Sequence, residues 1–316
     1  MKLVTYSPLP AGAPRPGLLV EGKRIVDIAA ALGEPAGAAS MLAIVAGGEP
    51  MLARLRGLAA AAAPAVALGD VRLHAPIPRP AKNVFCVGWN YLEHFDEGAR
   101  ALRDERELPP HPVFFSKAPT AVTGPYDAIP YDASLSTALD WEAELGVVIG
   151  PGGKDIAEAD AMRHVFGYTA INDLTWRDLQ RRHGGQWLKG KSLDGTCPMG
   201  PCIVTADALD WRGLRIACRV NGMARQESST RHMYFTVPRI IAELSAGMTL
   251  EPGDIVATGT PPGVGYARTP PQFLAPGDLV ETSIEGIGTL RNAIGGEIVW
   301  GRGAAGARMA PKGGSP

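Results

Sequence analysis

Leu139-Asp140-Trp141-Glu142-Ala143-Glu144-Leu145-Gly146-Val147-Val148-Ile149-Gly150 reads as a β-strand about to enter a protein interior, with carboxylates at its entrance. Strand side chains change face with period two, so Asp140, Glu142 and Glu144 are expected on one side and Trp141, Ala143 and Leu145 on the other. Like charges held side by side ahead of an apolar run repel each other unless a cation lies between them or one keeps a proton. A divalent metal ion explains the pattern economically. The competing reading is a solvated edge strand whose glutamates face water.

The neighbouring segments bear on that choice. His164 to Ile171 is a further apolar run that stops at Asn172-Asp173, and Leu174 to Gln180 follows with helical character. Asp173 therefore falls at a strand-to-helix junction, where the ordinary role of an aspartate is an N-cap. Upstream, Asn83 to Gly88 is a short buried strand, and the chain from Trp89 to Glu97 turns helical. His94 and Glu97 would share a face there, which suits a carboxylate that orients an imidazole, although surface helices carry many such pairs. Glu97 to Pro112 is dense in charge and ends at Pro109-Pro110, as a mobile cover over a site or a solvated loop would be.

Farther on, Lys189 to Pro198 reads as a loop whose lysines precede a turn. Asn221-Gly222 is a strong hairpin signal, because both turn positions tolerate positive φ. Val237 to Leu250 is the clearest amphipathic helix. Pro252-Gly253-Asp254 and Pro276-Gly277-Asp278 are turns that each launch an apolar strand. Thr258 to Gly265 could bend backbone N–H groups around an anion, but it lacks the Gly-Lys-Ser/Thr ending of a nucleotide-binding P-loop.

Composition narrows the classes further. With 316 residues, 46% of them hydrophobic, the chain has ample material for a core. Its 31 basic and 32 acidic residues give a formal net charge of −1, which argues against nucleic acid as a partner. Cys86, Cys197, Cys202 and Cys218 have no CxxC spacing, so neither a zinc site nor a disulfide framework is expected. The opening Met1-Lys2-Leu3-Val4-Thr5-Tyr6 lacks a signal-peptide core, and the alanine-rich run from Gly57 to Gly69 is interrupted by Pro64 and too short to span a bilayer. A soluble cytoplasmic protein with no membrane partner is the expectation. Residues 1–75 read as a small N-terminal domain with little chemistry. Pro76, Pro78 and Pro80 mark its boundary with a domain over 76–300, and 301–316 reads as a disordered tail.

In order along the chain, several blocks resemble the fumarylacetoacetate hydrolase superfamily, its acylpyruvate hydrolase-like branch in particular. They are Gly88-Trp89-Asn90-Tyr91 with His94 and Glu97, Trp141-Glu142-Ala143-Glu144-Leu145, Asn172-Asp173, Lys191-Ser192-Leu193-Asp194, Asn221-Gly222 with Arg225-Gln226, and Leu250 to Pro261. The resemblance implies an α+β fold: a β-rich mixed-sheet core rolled into a barrel-like fumarylacetoacetase-type shape, a small N-terminal domain, and commonly a homodimer. It implies Mg²⁺ or Mn²⁺, with Ca²⁺ as a substitute, held by Glu142, Glu144 and Asp173; an all-oxygen donor set independently favours these ions over zinc. It places Arg177, Gln180, Lys191 and Thr260 around a small 2-oxo or diketo acid. With His94 and Glu97 present to activate water and Lys191 to meet developing charge, the expected reaction is hydrolytic C–C cleavage of a 1,3-diketo acid such as an acylpyruvate or fumarylpyruvate, through a metal-bound enolate. Oxaloacetate decarboxylation, or isomerisation or hydration of a 2-oxo acid, is the alternative within this chemistry. A metal-stabilised binding protein without turnover is the alternative outside it.

Overall fold

The structure, a computed structural model, describes residues 1–10, 12–35, 39–60, 64–103 and 107–295. The tail expected after residue 300 lies outside them, as do residues 104–106 of the charged segment.

A twelve-stranded mixed sheet dominates. Its order is Ala65–Ala67, Arg24–Asp27, Arg15–Val20, Lys2–Pro8, Cys197–Thr205, Val165–Asn172, Ala143–Ile149, Ile255–Ala257, Val84–Gly88, Val113–Lys117, with Val71–His74 added on Lys2–Pro8 and Val122–Thr123 on Cys197–Thr205. Two pairings are parallel, Val84–Gly88 with Ile255–Ala257 and Val122–Thr123 with Cys197–Thr205; the rest of the path is antiparallel. This is the expected α+β architecture, although among the described residues no pairing joins the two ends of the path into a closed barrel. A four-stranded antiparallel sheet (Met223–Ser229, Arg215–Val220, Leu279–Ile284, Gly288–Ala293) packs beside it. The strands before residue 75 continue the large sheet, because Lys2 pairs with Val204 and Leu3 with Ile203.

The Ala143–Ile149 strand is buried throughout and obeys the period-two rule. Ala143, Leu145, Val147 and Ile149 enter one apolar core, while Val148 enters the other with Ile171 and Ile255. Gly146 is required here, since a Cβ would meet Ile171 Cδ1 at 2.7 Å and Thr169 Cγ2 at 2.8 Å. The expected continuous strand from Leu139 is broken, however. Leu139–Asp140 pairs instead with Thr175–Trp176, and Trp141 and Glu142 belong to no ladder. Side chains have taken their backbone donors: Trp141 N–H goes to Asp140 Oδ1 (2.8 Å) and Glu142 N–H to Asn172 Oδ1 (2.9 Å).

Other local readings hold or shift by a turn. Asn221 and Gly222 have φ of 52° and 77°, as a tight hairpin between Arg215–Val220 and Met223–Ser229 requires. Both Pro-Gly-Asp turns precede strands, Ile255–Ala257 and Leu279–Ile284. The amphipathic helix is Val237–Ser245, capped by Thr236 Oγ1, and it stops short of Leu250 because the backbone turns extended at Ala246 and left-handed at Gly247. The four cysteines are buried and free. Among the described residues no helix is long and apolar enough to cross a membrane.

Candidate active site

Register brings the acidic residues together. Ala143 pairs with Asn172, and the Asp173 N–H donates to Glu142 O (2.8 Å), so Asp173 leaves its strand directly opposite Glu142. On the other flank, Ile255–Ala257 runs out past Gly146 into Thr258-Gly259-Thr260. Thr258 N–H reaches Leu145 O (3.0 Å), Thr260 Oγ1 donates to Ala143 O (3.0 Å), and Gly259 N–H donates to Glu144 Oε2 (2.8 Å). Gly259 sits at φ 94°, and a Cβ there would meet Asn90 Cβ at 2.7 Å, so only glycine presents its N–H to Glu144 in this way. One oxygen each from Glu142, Glu144 and Asp173 lies within 4.8 Å of the others, all three side chains being buried.

Asp140 is not part of this trio, contrary to the one-face expectation. The break at Trp141 turns it away to accept from Gly265 N–H (2.6 Å), Tyr266 N–H (3.0 Å) and Arg177 Nε (2.8 Å). Asp173 is not an N-cap either: Thr175–Trp176 intervenes, and the helix Arg177–Arg182 starts after Trp176 with no side-chain cap. Its carboxylate is bound by Lys191 Nζ at 2.6 Å and by Lys117 Nζ at 2.7 Å. Lys191 also binds Glu142 Oε2 at 2.5 Å, and Arg177 binds Glu142 Oε1 at 2.6 Å. Lys191 is thus no surface lysine; it is 2% exposed and ends a single helical turn, Leu188–Lys191.

His94 and Glu97 lie on the helix Leu92–Leu102, with His94 Nδ1 and Glu97 Oε1 2.8 Å apart. The same carboxylate accepts from Gly263 N–H at 2.9 Å, which fixes it against the loop that follows Thr260. A carboxylate facing Nδ1 demands the Nδ1–H tautomer and leaves Nε2 as the basic nitrogen. His94, Glu142, Glu144 and Lys191 line one pocket of about 420 Å³, together with Arg177, Gln180 and Thr260. Glu97 and Asp173 stand behind that lining as supports. The outer wall is aromatic: Trp89, held at φ 55°, meets Trp187 edge-on at 5.2 Å, and Phe115 meets Trp187 at 5.0 Å.

Two supporting residues escaped the sequence reading. Lys117 ends an apolar strand and gave no sign that its ammonium would be fully buried on Asp173 and Leu174 O. Gln226 bridges three segments, accepting from Ala143 N–H (3.0 Å) and donating to Thr260 Oγ1 and Pro261 O (2.8 Å each). The Arg225-Gln226 dipeptide that followed the hairpin was its only signal.

The electrostatics fit a divalent cation. Four buried carboxylates, Asp140, Glu142, Glu144 and Asp173, share three cations, Lys117, Arg177 and Lys191. Burial opposes ionisation of Glu142, but Lys191 and Arg177 outweigh it and hold its carboxyl at about 2. Burial likewise works against the Lys191 ammonium, and Asp173 and Glu142 more than restore it. Glu144 has no ion-pair partner among the described residues. Burial, then the charges of Asp173 and Glu142, push it well above the usual carboxyl range. A hard dication among these oxygens would supply the missing charge.

A stability prediction follows from Glu144. Below its ordinary value of 4.5 the carboxyl is protonated both folded and unfolded; above it the unfolded chain releases a proton that the folded chain keeps, so this group's contribution falls as pH rises. Chelator-treated protein is therefore expected to lose thermal stability relative to Mg²⁺- or Mn²⁺-loaded protein as pH rises from 5 to 8, on the order of one pH unit of linkage already amounting to about 1.4 kcal/mol. Melting curves at several pH values measure this, and a gap that does not widen with pH contradicts it.

Comparison with known proteins places these features in a family. Residues 83–295 match the family model described as fumarylacetoacetate (FAA) hydrolase, C-terminal. The oxaloacetate tautomerase YisK of Bacillus subtilis (strain 168) is 45% identical over 294 residues, covering 88% of this chain and 95% of that protein. The mitochondrial oxaloacetate tautomerase Fahd2a of Rattus norvegicus is 43% identical over 262 residues, covering 83% of this chain and 81% of that protein. A solved structure of maleylpyruvate hydrolase from Sphingobium sp. SYK-6, in complex with manganese(II) ion and pyruvate, superposes with a TM-score of 0.74 at 31% identity, over 93% of this chain and 99% of that one.

The two tautomerases overturn the expectation that this chain hydrolyses a C–C bond of a 1,3-diketo acid. That expectation rested on His94 and Glu97 as activators of water. An imidazole oriented by a carboxylate is equally able to move a proton to and from carbon, so the pair never discriminated between the two reactions. The chain belongs to the fumarylacetoacetate hydrolase family of enzymes.

Proposed function

We propose that this enzyme interconverts the enol and keto forms of oxaloacetate, with a divalent cation as cofactor. The observation that carries the reading is that His94, its basic nitrogen freed by the Nδ1 contact to Glu97, lines the same pocket as the buried acidic cluster. Identity of 45% with one oxaloacetate tautomerase and 43% with another supports the choice of substrate.

The reaction needs one proton moved and nothing added. His94 Nε2 takes a proton from C3; the C–H electron pair becomes the C2–C3 double bond, the carbonyl pair moves to oxygen, and the proton held on Nε2 passes to that oxygen, which returns the imidazole to its neutral form. No water enters and no group leaves. Held by Glu142, Glu144 and Asp173, Mg²⁺ or Mn²⁺ would supply Lewis acidity toward the 2-oxo acid end; the manganese and pyruvate of the Sphingobium neighbour support that kind of pairing. Lys191, kept as an ammonium by Asp173 and Glu142, offers hydrogen-bond donors to the oxygen on which negative charge builds. Trp89, Phe115 and Trp187 give the pocket an apolar wall.

The test is to dissolve enol oxaloacetate in an aprotic solvent, dilute it into buffer with Mn²⁺, and follow loss of enol absorbance with and without enzyme while assaying pyruvate. Catalysed enol loss without matching pyruvate release is expected. Pyruvate formed in step with enol loss would replace tautomerisation by decarboxylation.

A further inference from the structure

The helix Arg177–Arg182 presents Arg177, Gln180 and Arg181 on one face, at i, i+3 and i+4, and all three line the pocket. Their engagements differ. Arg177 is bound by Asp140 and Glu142, at 2.8 and 2.6 Å. Arg182, which points elsewhere, pairs with Asp178 at 3.5 Å. Lys191, the other pocket cation, is bound by Glu142 and Asp173. Arg181 alone among these has no carboxylate partner among the described residues. Its contact is the ring of Tyr266, 5.3 Å from the guanidinium, and the same ring carries Arg177 at 4.4 Å.

Two guanidinium groups on one aromatic ring repel each other. Arg181 lies on the exposed side of the pocket, and the solvent it does lose, then the charge of Arg177, lower its pKa, so the second guanidinium works against this cation. An anion entering beside it reverses that sign. A guanidinium offers paired N–H donors that match a carboxylate, and Tyr266 restricts its swing.

We infer that Arg181 binds the distal carboxylate of a 2-oxo dicarboxylic acid whose 2-oxo acid end lies at Glu142, Glu144 and Asp173, and so selects dicarboxylates over monocarboxylic 2-oxo acids. The inference rests on the tautomerase reading for the orientation of the substrate. Arg177 cannot fill this role without abandoning two buried carboxylates, whereas Arg181 gives up only solvent and a ring.

The experiment measures binding and turnover separately on Mn²⁺-loaded protein. Dissociation constants for oxaloacetate and for pyruvate are determined by rapid calorimetric titration for wild type, Arg181→Gln and Arg181→Lys, and enol loss is assayed alongside. Arg181→Gln is expected to weaken oxaloacetate about ten- to a hundredfold, the usual worth of a charged hydrogen-bonded pair. Pyruvate affinity should stay within about twofold on the same scale, and Arg181→Lys should recover part of the loss. In turnover the effect should fall on KM more than on kcat. The assignment is overturned if oxaloacetate affinity is unchanged, or if pyruvate weakens by the same factor, which would mark a general positive field at the mouth. Selective dicarboxylate binding through Arg181 without catalysed enol loss would keep the assignment and remove the tautomerase reading; catalysed enol loss with selectivity untouched by Arg181→Gln would do the reverse.

Discussion

Replacing His94 by alanine is expected to slow enol–keto exchange of oxaloacetate by on the order of 10² to 10⁴, the usual contribution of a positioned general base. The geometry makes the effect specific to proton transfer. His94 is 5% exposed and its hydrogen-bonded partner is Glu97, so its removal leaves Lys191 on Glu142 and Asp173 and the Gly259 N–H on Glu144. Affinity for Mn²⁺ and for oxalate should therefore remain close to wild type while kcat collapses. Glu97→Gln should cost less, because an amide oxygen still accepts from Nδ1–H but no longer stabilises the imidazolium that forms when Nε2 takes a proton. Its amide can also disturb the contact with Gly263 N–H. Rates must be read above the uncatalysed exchange in the same buffer. If His94→Ala keeps more than a third of wild-type kcat, the base lies elsewhere and the proposed proton route fails.

Much of this site was legible because strand geometry is periodic. Glu142 and Glu144, two apart in an acidic stretch that turns apolar, suggested a cation between them, but the run ending at Asn172-Asp173 by itself suggested only an N-cap, and Asp173 joined the set through the resemblance to the fumarylacetoacetate hydrolase superfamily. What the pattern could not carry was the interruption at Trp141. That break depends on Asn172 capturing the Glu142 N–H from the adjoining strand, a contact between residues far apart in the chain. It moves Asp140 from the face it was expected to share with Glu142 and Glu144 to the partner of Arg177. Lys117 and Gln226 were hidden for the same reason: each acts only where the sheet carries it against another segment. The choice of reaction was hidden for a different one. His94 and Glu97 define a base, and a base is common to attack by water and to proton transfer at carbon, so no residue type in the pair could separate them.

The largest stability effect expected in the metal-free protein belongs to Lys117. Lys117 and Asp173 are both fully buried, and the ammonium is divided between Asp173 Oδ1 at 2.7 Å and Leu174 O at 3.0 Å. Substitution by methionine keeps the length of the side chain and removes its charge. Asp173 then relies on Lys191, which Glu142 also claims at 2.5 Å, and Glu144 stands nearby with no ion-pair partner among the described residues. Removing one partner of a buried ion pair typically costs about 3–5 kcal/mol, because the other charge stays desolvated. Chelator-treated Lys117→Met is expected to lose about that much in denaturant unfolding. A divalent ion bound at the carboxylates should recover part of the loss, since it restores positive charge beside Asp173. Adding Asp173→Asn to Lys117→Met should also recover part of it in the metal-free state, where no charge would then be stranded, while abolishing the response to Mn²⁺. A metal-free Lys117→Met as stable as wild type would mean that water or a shifted Lys191 compensates Asp173, and that the third carboxylate is less firmly placed than its two lysines make it.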